Sequence, residues 1–81
     1  MKMQDILELN FSIMQRLRMI DVLLDRYGYV DRSVIAEYFG ISAVQASVDL
    51  RMYSQVAPGN ARYDPARKSH ARLDTFKRRF A

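Results

Sequence analysis

The tightest constraint on this chain lies between Arg32 and Tyr53, in RSVIAEYFGISAVQASVDLRMY. Val34, Ile35, Tyr38 and Phe39 give a short helix an apolar side. Gly40 then supplies the positive φ that ends a helix. Ile41 turns inward, and Ser42 caps a second helix, with Gln45 three residues on to complete a capping box. That helix is expected from Ala43 to about Val56, stopped by Pro58 and Gly59. Helix, glycine turn and capped helix have the spacing of a helix-turn-helix. A helical hairpin that only supports a core has the same spacing, so the surroundings decide between the two.

At 81 residues the chain is expected to form one domain. A core this small is marginal. There is no cysteine, so neither disulfides nor thiolate metal sites brace it. No apolar run approaches the roughly 18 residues of a membrane span. The N-terminus, MKMQDILELN, is acidic where a signal peptide is not. The expected location is cytoplasmic, with no membrane partner. Residues 1–50 hold five Lys/Arg against seven Asp/Glu; residues 51–81 hold eight against two. The basic excess starts inside the second motif helix and runs to the C-terminus. A polyanion-facing end on a neutral-to-acidic body has this polarity, as does a solvated basic tail.

Upstream, residues 1–10 read as a leading helical segment carrying Met3, Ile6, Leu7 and Leu9. Asn10 or Ser12 is a candidate cap for a following helix from about Ile13, and Ser12 with Gln15 is a second capping box. Ile13, Leu17, Ile20, Leu24 and Tyr27 form one buried stripe, widened by Leu23. Met14, Met19 and Val22 lie off it. Two readings of that surplus stay open: a partner contact such as a dimer seam, or packing by the leading segment. Gly28 closes the helix, Tyr29-Val30 is a short extended link, and Asp31 caps the first motif helix. Beyond Gly59, Ala61-Arg62-Tyr63 and Lys68 to Arg72 flank Asp64-Pro65-Ala66-Arg67, a turn between two short strands. The expected fold is therefore mainly α with a small β-hairpin, a winged helix-turn-helix. In the basic tail, residues 73–81, Phe76 and Phe80 either fold back onto the core or await a partner.

On a helical wheel Ala46, Leu50, Tyr53 and Ala57 share one narrow face of the second motif helix, the packed one. The opposite face holds Val44, Ser47, Val48, Arg51 and Gln55, with Gln45 and Met52 at an edge. Recognition helices meet base edges with their N-terminal residues. Gln45 suits adenine, Arg51 guanine or a phosphate, and Val44 and Val48 thymine methyls. Ser47 suits base or phosphate, and Ser42 with the first backbone N–H groups suits a phosphate oxygen. Gln45 has an equal alternative as the capping-box partner. Asp49, near the packed face, is expected to orient a neighbour. Tyr38 and Tyr53 are expected in the core with hydroxyls at its rim. The wing cations Arg62, Arg67, Lys68 and Arg72 suit a minor groove or phosphate strand, Arg67 and Lys68 first. Lys77, Arg78 and Arg79 are further candidates for phosphate contact.

These residues resemble the N-terminal winged helix of WYL-domain transcriptional regulators found beside bacterial phage-defence operons. That family's pattern is close to I-S-x-x-Q-A-S-x-D-L-x-x-Y, then A-P-x-N-x-x-Y-D, then a lysine before an aromatic. Ile41, Ser42, Gln45, Ala46, Ser47, Asp49, Leu50 and Tyr53 match the first block. Ala57, Pro58, Asn60, Tyr63 and Asp64 match the second, and Lys68 the lysine. His70 stands where the family has an aromatic such as tyrosine. The likeness covers about residues 11–72 and ends where a WYL domain would begin. It implies a dimeric repressor on a palindromic operator, with the N-terminal helices as the expected dimer contact. A free-standing small regulator is the first expectation and a piece of a longer protein the second.

Two function classes follow. The leading one is a sequence-specific regulator that binds double-stranded DNA without a cofactor or metal. The alternative is a winged-helix protein-interaction module that uses the apolar N-terminal helix. An enzyme is not expected. His70 is the sole histidine, and no Ser-His-Asp set, phosphate-binding glycine loop or metal cluster is visible.

Overall fold

A computed structural model describes residues 3–80, with side chains described from residue 10 onward. Its elements are α1 (Met3–Tyr27), β1 (Tyr29–Val30), α2 (Arg32–Phe39), α3 (Ala43–Val56), β2 (Ala61–Asp64) and β3 (Ser69–Arg72). The three strands form one antiparallel sheet in the order β1-β3-β2. The register places Val30 opposite His70, and His70 opposite Tyr63.

α1 is one helix of 25 residues, not a leading segment followed by a second helix. No glycine or proline interrupts residues 3–27. One asparagine and one serine cost an interior helix well under about 1 kcal/mol each relative to alanine. Asn10 and Ser12 can cap a helix only where the chain enters it from non-helical backbone, and here the backbone is already helical. The apolar pattern read for Met3, Ile6, Leu7 and Leu9 lies outside the described side chains. Because the helix is continuous, the leading segment does not fold back over Met14, which stays 42% exposed.

The helix ends follow the expected chemistry. Gly28 closes α1 at φ 83, its N–H donating to Leu24 O. Asp31 caps α2 by accepting from the backbone N–H groups of Ser33 and Val34 and from the Ser33 hydroxyl. Those bonds, the hydroxyl's first, outweigh burial and hold the Asp31 pKa below its ordinary value. Gly40, at φ 66, ends α2, and Ser42 Oγ accepts from Gln45 N at 3.0 Å to open α3.

The core joins Leu17, Ile20 and Leu24 of α1 to Ile35 of α2, Ala46, Leu50 and Tyr53 of α3, and Val30, Ala57 and Ala61. The packed face read for α3 is the observed one. Three aromatic or branched residues depart from expectation. Tyr27 is 65%, Val34 44% and Tyr38 68% exposed. α2 has only eight residues, so Ile35 with Ala36, Phe39 and Ile41 covers its share of the core. Tyr38 is left outside, edge-on to Phe39. Tyr27 stands in the last turn of α1, past Leu24, the last α1 residue in the core.

The tail folds back, with Phe76 and Phe80 packed on the core. Asp21 of α1 is fully enclosed and holds it there. Its carboxylate accepts from Tyr53 Oη (2.5 Å), Arg78 Nε (2.8 Å), Arg79 N (2.9 Å) and Phe80 N (3.0 Å). Asn60 adds a second clasp, donating to Tyr53 Oη and Lys77 O and accepting from Lys77 N. Tyr53 is thus central, with its hydroxyl inside the network rather than at a rim. Burial and then the Asp21 bond raise its pKa well above the usual phenol range.

Candidate nucleic-acid interface

α3 presents Val44, 73% exposed, and Val48, 37% exposed, together with an exposed Arg51. Tyr53 and Leu50 anchor the opposite face, so these outer side chains are held on a rigid rod. Gln45 sits at the edge and is half-buried. Its backbone N–H makes the cap bond to Ser42, but its side chain does not reach back to complete the capping box. Instead Gln45 Nε2 donates to Asp49 Oδ1 at 3.0 Å. Asp49 is enclosed and paired with Arg16 of α1, Nε to Oδ2 at 2.5 Å and Nη2 to Oδ1 at 3.3 Å. A carboxylate only accepts, so Asp49 fixes which end of the Gln45 amide faces inward. One N–H and the carbonyl oxygen remain, the pair an adenine edge requires. Asp49 orients a neighbour, as expected, and the neighbour is Gln45.

The wing borders the same side. Asp31, Arg32, Ser47, Leu50, Tyr63, Lys68 and His70 line a cleft of about 340 Å³ between α2, α3 and the hairpin. Lys68 reaches it from the last turn residue, with a left-handed backbone at φ 54. Arg32 Nη1 crosses from α2 to donate to Ser47 Oγ at 3.3 Å. Tyr63 and His70 stack edge-on, centroids 5.3 Å apart. Burial lowers the His70 pKa below its ordinary value, so the imidazole is neutral at pH 7.

The other wing cations separate. Arg67 lies over the Tyr29 ring, 4.8 Å from its centroid, which ties the turn back to β1. Strand alternation puts Arg62 on the hairpin face away from Tyr63 and His70. There it lines a shallow depression with Asp64, Pro65 and Leu73. Arg72 turns to α1: its Nη1 donates to Leu24 O (3.2 Å) and Asp25 O (2.9 Å), capping the carbonyl end of that helix. In the tail, Arg78 pairs with Asp21 and Asp25, and Arg79 Nε reaches Val56 O at 3.5 Å. The sequence pattern does not mark Arg32 and Tyr63 as site residues. Arg32 marked the start of the motif, and nothing in local spacing shows it reaching Ser47, 15 positions on.

A helix-turn-helix whose third helix is flanked by an antiparallel hairpin, on a three-stranded sheet, is a winged helix-turn-helix domain. The chain belongs to the BrxR transcriptional regulator winged helix-turn-helix family, whose sequence profile matches residues 12–81. It is similar to the DNA-binding transcriptional repressor CapW of Stenotrophomonas maltophilia, at 41% identity over 63 residues. The CapW proteins of Escherichia coli strain KTE188 and Pseudomonas aeruginosa are 38% and 36% identical over the same length. Each alignment covers 78% of this chain and 21% of the relative, so the chain spans about a fifth of those repressors. The resemblance to the N-terminal winged helix of WYL-type regulators is thereby borne out. The family is one of regulator domains rather than an enzyme class. No helix among the described residues is long and apolar enough to cross a membrane.

Proposed function

We propose that this domain binds double-stranded DNA sequence-specifically and acts as the operator-reading part of a repressor, dimeric on a palindromic site. One observation carries the reading: Ser47, on the outer side of α3, and the wing's Lys68 line a single cleft. α3 enters the major groove, with Gln45, Val44, Val48 and Arg51 toward base edges and Ser47 at a base or phosphate. Ser42 and the first α3 N–H groups meet a phosphate, and the wing lies along the backbone. The relatives' description as DNA-binding repressors supports the same reading. Selection of bound oligonucleotides from a random pool, with the mass of the free protein measured alongside, tests it. A palindromic consensus is expected; enrichment of no sequence overturns specific reading.

Arg51→Ala is expected to weaken binding to the selected sequence by about 1–3 kcal/mol, and to random duplex far less. Gel shifts on both DNAs check this, and equal losses would reassign Arg51 to a phosphate. Lys68→Asn keeps a residue that tolerates a left-handed backbone while removing the charge. The slope of log K against log salt is expected to flatten by up to about one. An unchanged slope removes Lys68 from the contact set.

A second reading, a protein-interaction module, rests on Phe11, 65% exposed, and Met14. Met19 no longer supports it, because it packs on the core. The same α1 surface is the candidate dimer seam.

A further inference from the structure

Arg32 is set apart from the other cations by where its guanidinium is held. It lines the same cleft as Lys68, bound to the neutral oxygen of Ser47 rather than to an acid. The ion pairs among the described residues are Arg16–Asp49, Arg78–Asp21 and Arg78–Asp25, and none involves Arg32. The acid among the lining residues, Asp31, also caps α2, its Oδ1 accepting from three donors, so the cleft sets two cations against one carboxylate. Ser47 Oγ, by accepting from Arg32, is left with its O–H to donate. The cleft is therefore lined by two cations, one carboxylate, a hydroxyl free to donate and the His70 imidazole.

We propose that Arg32 and Lys68 clamp one phosphodiester of the bound duplex from its two sides, with the Ser47 hydroxyl as third donor. This rests on the DNA-binding reading above and adds its docking point. The clamp straddles the junction of recognition helix and wing, so it sets how deep α3 sits in the groove. It carries no sequence information of its own.

The test uses the selected duplex with single methylphosphonates, which remove one backbone charge at a time. Wild type, Arg32→Gln and Lys68→Asn are compared by fluorescence anisotropy. Arg32 is exposed, and matching melting curves confirm that the variants fold. One methylphosphonate position is expected to weaken wild type while erasing the difference between wild type and each variant. Both variants should lose affinity by the same factor on selected and random DNA. If the two variants map to different positions, or Arg32→Gln changes the preferred sequence, the clamp is wrong while DNA binding stands. If wild type binds no duplex, the functional reading itself falls. Inorganic phosphate titrated into the free protein at constant ionic strength should give no saturable shift of the Ser47 and Lys68 amides. Saturation would assign the cleft to a free anion and overturn the proposal.

Discussion

Asp21→Asn is expected to destabilise the domain by about 3–5 kcal/mol, the summed cost of leaving donors to an enclosed carboxylate unmatched at about 1–3 kcal/mol each. A chain this size has roughly 4–12 kcal/mol in total, so the variant is expected to be partly unfolded at room temperature. The asparagine keeps the shape but presents an NH₂ where a carboxylate oxygen accepts from Tyr53 or from Arg78, Arg79 and Phe80. Donor then meets donor in an enclosed site. The residues released are those that fasten the tail, so Phe76 and Phe80 lose their hold on the core with it. The effect depends on pH with a definite sign. Burial raises the Asp21 pKa, but the four hydrogen bonds outweigh it and leave the folded value below 3.8. A depressed carboxyl contributes stability above its unfolded pKa and loses it as pH falls through the folded one. Urea unfolding followed by circular dichroism should give a wild-type-to-variant gap that is constant above about pH 5 and narrows below about pH 4. A gap that persists unchanged into acid would place the loss in packing rather than in the charge.

Asp21 also marks where sequence reading stops. Periodicity reveals which side of a helix is apolar, and Ala46, Leu50, Tyr53 and Ala57 were legible on that basis. So were the caps at Asp31 and Ser42 and the glycine ends at Gly28 and Gly40, because their chemistry is local. An acid on an apolar stripe carries no label for a partner 57 to 59 residues away. Arg72 reads as one wing cation among four, yet strand pairing with β1 brings it to the carbonyl end of α1. Tyr27, Val34 and Tyr38 show the converse limit. Apolar type predicts burial only where another element is present to cover the residue, and an eight-residue helix covers little. The candidate site divides the same way. Its α3 half follows from one helix's wheel, while Arg32 enters it only through the turn of the chain at Gly40.

The second large effect lies at Arg16. Arg16→Ala is expected to cost about 3–5 kcal/mol by leaving the Asp49 carboxylate enclosed without its cation. That loss alone says nothing about DNA, since an unfolded domain binds nothing specifically. The double variant Arg16→Met/Asp49→Leu separates the two roles. Apolar side chains of similar volume often replace a buried ion pair at no net cost, so thermal melting should return close to wild type. Gln45 then has no acceptor for its inward N–H, and its amide is free to rotate. On the proposed reading, discrimination for the base pair under Gln45 falls by about 1–3 kcal/mol, roughly five-fold or more. Affinity for random duplex should hardly change, because no phosphate contact is lost. Adding Gln45→Ala to the double variant should then cost less than it costs wild type, since contacting residues in one chain of bonds are not additive. Competition binding with duplexes altered at that base pair measures all three. If the stable double variant discriminates as well as wild type, the Arg16–Asp49 pair is structural only, and Gln45 reads its base without being held.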